Sequence, residues 1–155
     1  MTPLEAAQTT VRLAGNYPDY LEALTEDPSM LTLIVAQPAM RGRLMLLRLR
    51  GEQMISFTWC YVDHPLSGPP QAADWERQAG KAVWLADMVS TPGLGGITIG
   101  RAMQEGLALA GITKPGQLIL WHRHRTHRYG GVTARLAGKK PDVEVLFPQV
   151  HPRRH

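Results

Sequence analysis

Apolar residues recur at helical spacing over residues 3–14, where Leu4, Ala7, Val11 and Ala14 make one stripe. Thr2 is placed to cap that helix, Pro3 suits its first position, and Gly15-Asn16 ends it. Tyr17, Tyr20, Leu21 and Leu24 share a face and predict a second short helix over 17–24. Branched apolar residues over 30–36 predict a strand that Pro38 terminates. Residues 44–50 and 54–62 predict two further strands joined by a tight turn at Gly51-Glu52-Gln53, hence an antiparallel pair. In the first of these, Leu47 and Leu49 alternate with Arg48 and Arg50. A proline- and glycine-rich connection, 63–73, suits a surface loop or a flap. A strand over 81–89 then runs through a glycine-rich turn into a long helix over 97–110, which Gly111 stops. Strands over 117–122 and 132–136 and an edge strand over 143–147 complete the pattern.

Composition narrows the class. With 155 residues, 44% hydrophobic and 19% charged, the chain suits one folded core. The expected organisation is a single domain over 1–150 and a basic tail over 151–155. The lone cysteine, Cys60, excludes an internal disulfide and falls in an apolar run, as a buried strand residue does. Every apolar stretch is short and broken, which excludes a membrane span, and the start MTPLEAAQ lacks a secretory pattern. Residues 1–30 hold five carboxylates against Arg12 alone, so the rest of the chain carries +8 within a net +4. Such a basic body suits an acidic protein, a phosphorylated cofactor or nucleic acid.

Strand KAVWLADMV, turn TPGLGG and helix ITIGRAMQEG follow one another. Backbone N–H groups at such a turn suit a phosphate or a pantetheine arm, although the turn is neither a GxGxxG dinucleotide motif nor a P-loop. A plain tight turn without a ligand is the competing reading. Antiparallel strands before this unit and a strand after it suggest a mixed, mostly antiparallel sheet flanked by helices. That is an α/β fold of the acetyltransferase (GNAT) type.

The segment WLADMVSTPG, residues 84–93, resembles the toxin-activating lysine acyltransferases. Trp84, Asp87, Val89, Ser90 and Gly93 fall at that family's spacings. Asp74-Trp75, ISFTWC over 55–60 and VAQPAMRGRLMLL over 35–47 are similar to further family segments, so the likeness covers roughly residues 30–100. The resemblance implies a cytoplasmic enzyme that moves a fatty acyl group from acyl carrier protein to a protein lysine. It also implies an acetyltransferase-like fold, frequent pairing as a homodimer and no permanently bound cofactor. The donor would be the phosphopantetheine thioester of acyl carrier protein, with Gly93, Gly95, Gly96 and Arg101 the candidate residues for its arm. An amine attacks the thioester, a base removes its proton and a donor stabilises the oxyanion.

The family pairs an N-terminal histidine with a mid-strand aspartate. Asp87 matches the aspartate, but no histidine precedes His64, and Tyr20 stands nearest the expected position. Tyrosine, with an ordinary pKa of about 10, is a poor base at neutral pH. Tyr20 and His64 are therefore weighed as replacements for the base. His122, His124 and His127 are weighed as a base, a basic surface or an incomplete zinc site. The run HRHRTHRYGG, extended by Arg41, Arg43, Arg48, Arg50, Arg153 and Arg154, allows phosphate contacts, but no nucleic-acid motif accompanies it. The alternative to an enzyme is a catalytically inactive domain of the same fold. It would serve as an interaction or structural subunit, for example in a toxin-related or phage-like particle.

Overall fold

The computed structural model describes residues 1–123, 128–138 and 142–149. Helix α1 (Pro3–Ala14) forms where its stripe predicts. Thr2 Oγ1 accepts from the Glu5 N–H at 3.1 Å, and the Glu5 carboxylate accepts from the Thr2 N–H at 3.4 Å. This reciprocal capping box satisfies two otherwise orphaned donors. Helix α2 (Pro18–Glu26) follows, with Pro18 in its first turn.

The strand expected over 30–36 is helical instead. Helix α3 (Pro28–Leu31) runs into a π-helical turn (Thr32–Ala36) and then α4 (Gln37–Met40). Leu31, Ile34, Val35 and Ala39 fall on one helical face and join Leu44, Leu46 and Val89 in a buried cluster. Burial against the sheet thus outweighs the strand preference of branched side chains. The wide turn, in which the Gln37 N–H donates to the Thr32 carbonyl, immediately precedes Pro38, which has no N–H to give the ladder.

Six strands form one sheet: β1 (Leu44–Arg48), β2 (Met54–Val62), β3 (Ala82–Ser90), β4 (Leu118–Arg123), β5 (Arg128–Thr133) and β6 (Glu144–Phe147). Their order is β5-β4-β3-β2-β1-β6. Every neighbouring pair is antiparallel except β3 and β4, which run parallel because helix α6 (Gly96–Leu109) crosses one face between them. The result is a mixed, mostly antiparallel sheet flanked by helices. Strand β5 starts earlier than the expected 132, and a short helix α5 (Ala72–Glu76) closes the proline-rich connection.

Both faces of the sheet are covered, which explains β1. Leu44, Met45, Leu46 and Leu47 are all fully buried, so alternation is lost until Arg48 reaches solvent. Met45, Leu47 and Phe57 meet α6 on one face. On the other, Leu44 and Leu46 meet the N-terminal helices, while Trp75 of α5 joins Cys60, Val62 and Trp84. A Cβ at Gly106 would lie 2.7 Å from Leu47 Cδ2 and 3.0 Å from Met45 Sδ, so a side chain there would have to displace these buried side chains for α6 to seat this closely.

The described arginines expected to widen a basic patch have partners. Arg41 pairs with Glu76 at 2.8 Å, Arg48 with Glu144 at 2.6 Å and Arg50 with Asp142 at 3.2 Å. Arg43 lies 4.6 Å from the Trp59 ring centroid and donates to the Trp75 and Arg77 carbonyls. His124, His127 and the tail 151–155 lie outside the described residues. No helix among the described residues is long and apolar enough to cross a membrane.

Candidate active site at the split between β3 and β4

Strand β3 pairs with β4 only from Ala82↔Leu118 to Leu85↔Trp121. Beyond that point β3 continues along β2 as far as Ser90, while β4 continues along β5. The two strands therefore part, and the sheet splits beside Ala86, Asp87 and His122. Two cavities meet at this split, one on each face, and Leu85, Ala86, Asp87 and His122 line both. The cavity on the α6 side holds about 450 Å³ and has mainly apolar walls, among them Ile99, Met103, Ile119, Trp121 and Val132. The cavity on the α2 side holds about 550 Å³ and is walled by Tyr20, Thr58, Trp75, Trp84, Pro69 and Pro70. Both volumes fall in the ~300–1,000 Å³ range of ordinary small-molecule sites.

A β-bulge aims Asp87. Thr58 pairs with Asp87, but the next residue, Trp59, pairs with Leu85, so Ala86 is the extra residue on β3. Without the bulge, Asp87 would share a face with Val83 and Leu85, toward α6. With it, Asp87 turns to the opposite face, where Thr58 and Tyr20 stand.

Helix α2 is strapped along the same stretch. Tyr17 Oη donates to the Ser90 carbonyl at 3.1 Å, and one turn later the Tyr20 hydroxyl donates to the Asp87 carboxylate in a short hydrogen bond. Burial chiefly, and then the Asp87 charge and this hydrogen bond, raise the Tyr20 pKa well above the ordinary value. The phenol therefore stays protonated at neutral pH. Its hydroxyl orients Asp87.

The two residues that sequence reasoning singled out around position 20 and on the middle strand are thus in direct contact. His64 is different: it is exposed in the connecting loop and lines neither cavity at Asp87. Part of that loop, Leu66 to Pro70, nevertheless walls the α2-side cavity. Gly93 adopts φ +88°, Gly95 caps α6 and Gly96 touches the α6-side cavity. A Cβ at any of the three would meet nothing within 4 Å, so the turn is open to approach. Arg101 points elsewhere, lining a separate cavity of about 580 Å³ with Glu105 and Arg135.

Trp75 is buried against Cys60 and Trp84. Burial, the largest cause, pushes the Cys60 thiol up to about 12, and a thiol held protonated is unreactive. No trio of His, Cys, Asp or Glu suited to a metal gathers among the described residues. His122, weighed from the sequence as a base, lines both cavities, whereas Thr58 is a site residue that sequence reasoning did not assign. The only signal for Thr58 was a hydroxyl inside a mainly apolar strand that also holds Ser56. Comparisons with protein-family models, curated proteins and solved structures found no match to this chain.

Proposed function

We propose that the protein is an N-acyltransferase with an acetyltransferase-like fold, moving a fatty acyl group from the phosphopantetheine thioester of acyl carrier protein to a protein lysine. The observation that carries this reading is a carboxylate, Asp87, at a split in the sheet that two cavities share. A transfer between two bound molecules needs a site that both reach, with each approaching on its own path. The apolar cavity beside α6 suits the acyl chain and the end of its thioester arm, which would pass the open turn at Gly93, Gly95 and Gly96. The net charge of +4 favours an acidic carrier.

In the proposed step the neutral amine adds to the thioester carbonyl and forms the C–N bond. Its proton passes to the Asp87 carboxylate. The tetrahedral oxyanion then collapses, the C–S bond breaks with its electron pair on sulfur, and the proton leaves Asp87 for the thiolate. Tyr20 positions the carboxylate throughout.

The test is transfer of a radiolabelled palmitoyl group from carrier protein to a lysine-containing acceptor. Asp87→Asn should lower the rate at least 100-fold while the protein stays folded. No transfer above the buffer rate by the folded wild type, with donor and acceptor verified, would reject the reading. One observation favours the alternative: the Tyr17–Ser90 and Tyr20–Asp87 contacts also strap α2 to β3. In a non-catalytic subunit, of a particle for example, these contacts would serve stability alone.

A further inference from the structure

Among the described residues, Asp87 and His122 are the ionisable side chains that line both cavities at the split, whereas Tyr20 lines the α2-side cavity alone. Neither Asp87 nor His122 is buried, so both are accessible from the space around them. The other described residues of the two walls are apolar or uncharged. A proton that crosses from one cavity to the other therefore has these two groups to carry it.

The strand pattern sets them on one face. Ile119 and Trp121 of β4 wall the α6-side cavity, and Leu120 between them packs with Trp84 and Ala86 on the opposite face. His122 lies two residues beyond Leu120 and shares that face. The β3 bulge turns Asp87 to it as well. Leu85↔Trp121 is the last β3–β4 pair, so Asp87 and His122 stand on opposite banks just where the strands part. Paired strands lie about 4.8 Å apart, a gap that an aspartate and a histidine side chain together can span.

The transfer described above makes use of such a pair. The amine approaches from the α2 side, where Asp87 takes its proton, while the thioester arm lies beside α6. The sulfur that must finally be protonated is thus on the face from which Asp87 is turned away. An imidazole can take a proton on one ring nitrogen and give one from the other, and it does so near neutral pH.

We propose that His122 carries the proton from Asp87 to the leaving sulfur. As the C–S bond breaks with its electron pair on sulfur, one imidazole nitrogen gives its proton to the thiolate. The other nitrogen takes the proton held by Asp87, which becomes a carboxylate again. The ring is neutral before and after, with its tautomer exchanged, and proton exchange with water restores the starting tautomer. His122 thus serves the thiol and not the amine. This assignment rests on the acyltransferase reading and adds to it the residue that acts on the leaving group.

The test is palmitoyl transfer from carrier protein by His122→Ala, with urea unfolding to check that the variant folds and His122→Ser in its place if it does not. The expected rate is about 100-fold below that of the wild type. Imidazole added to the variant should restore much of the rate, saturably. 1-Methylimidazole, whose second nitrogen is blocked to protons, should not. A folded variant as active as the wild type overturns the proposal. So does a loss that imidazole leaves unrepaired, which would make His122 a packing residue. Equal rescue by 1-methylimidazole overturns the relay and makes His122 a one-site base. In these three cases the wild type still transfers, and the acyltransferase reading stands. No transfer by the folded wild type overturns that reading and this assignment with it.

Discussion

Tyr20→Phe removes one oxygen and leaves the ring packed where it is. The lost hydroxyl donates to the part-buried Asp87 carboxylate. A hydrogen bond to a charged group contributes about 1.5–3 kcal/mol, so the variant should lose that much stability at pH 7. For a chain of this size the melting temperature should fall by roughly 3–12 °C. Urea unfolding of wild type, Tyr20→Phe, Asp87→Ala and the double variant gives a thermodynamic cycle. The coupling between the two sites should reach at least about 1 kcal/mol.

The pH dependence supplies a second reading from the same variant. The folded pKa of Tyr20 lies above its ordinary value of 10.0, so the native state holds the proton more tightly than the unfolded chain. Its stabilising contribution is complete below pH 10 and fades as pH rises above it. The slope from one group is at most about 1.4 kcal/mol per pH unit. Tyr20→Phe should lose this component, while the part due to Tyr61, whose pKa burial also raises, should persist. A change under about 0.5 kcal/mol at pH 7, together with an unaltered alkaline slope, would refute the account of Tyr20 and Asp87.

Three further predictions concern the cavities and the core. Gly100→Leu places a side chain in the α6-side cavity, where a Cβ meets nothing within 4 Å. If the acyl chain lies there, a series of carrier-bound donors should show activity shifting toward shorter chains with folding intact. Gly130→Ala brings a Cβ to 2.4 Å from the Trp121 indole, a rigid neighbour. Thermal unfolding should show a loss of about 1–3 kcal/mol, and the wall that Trp121 gives the same cavity should be disturbed. Cys60, fully buried with its thiol held protonated, should resist aromatic disulfide reagents at pH 8 until the chain unfolds. Labelling in native buffer as fast as in urea would contradict that.

Local signals located most elements. The capping of α1 by Thr2, Pro3 and Glu5 is written in adjacent residues, and Gly51 marks its turn with a φ of +70° that glycine adopts freely, although Glu52 beside it also takes φ +65°. The strand-turn-helix unit around Gly93 was equally legible, because a largely apolar strand, clustered glycines and a helical stripe follow in order. Residues 31–36 were misleading. Their branched side chains prefer a strand, and only the sheet face waiting for Leu31, Ile34 and Val35 makes them helical.

The site itself divides the same way. Sequence alone determined that an aspartate interrupts an apolar strand just before a glycine turn, and that tyrosines rather than a histidine stand in the N-terminal segment. It did not determine their contact, since 67 residues separate them and no local rule bridges that gap. Nor did it reveal which way Asp87 points, because strict alternation would send it toward α6. One extra residue in β3, Ala86, reverses that direction, and register is a property of paired strands rather than of either strand alone. The splitting of β3 from β4, the two cavities and the unpartnered Thr58 and Trp75 likewise exist only once six strands and their helices have packed.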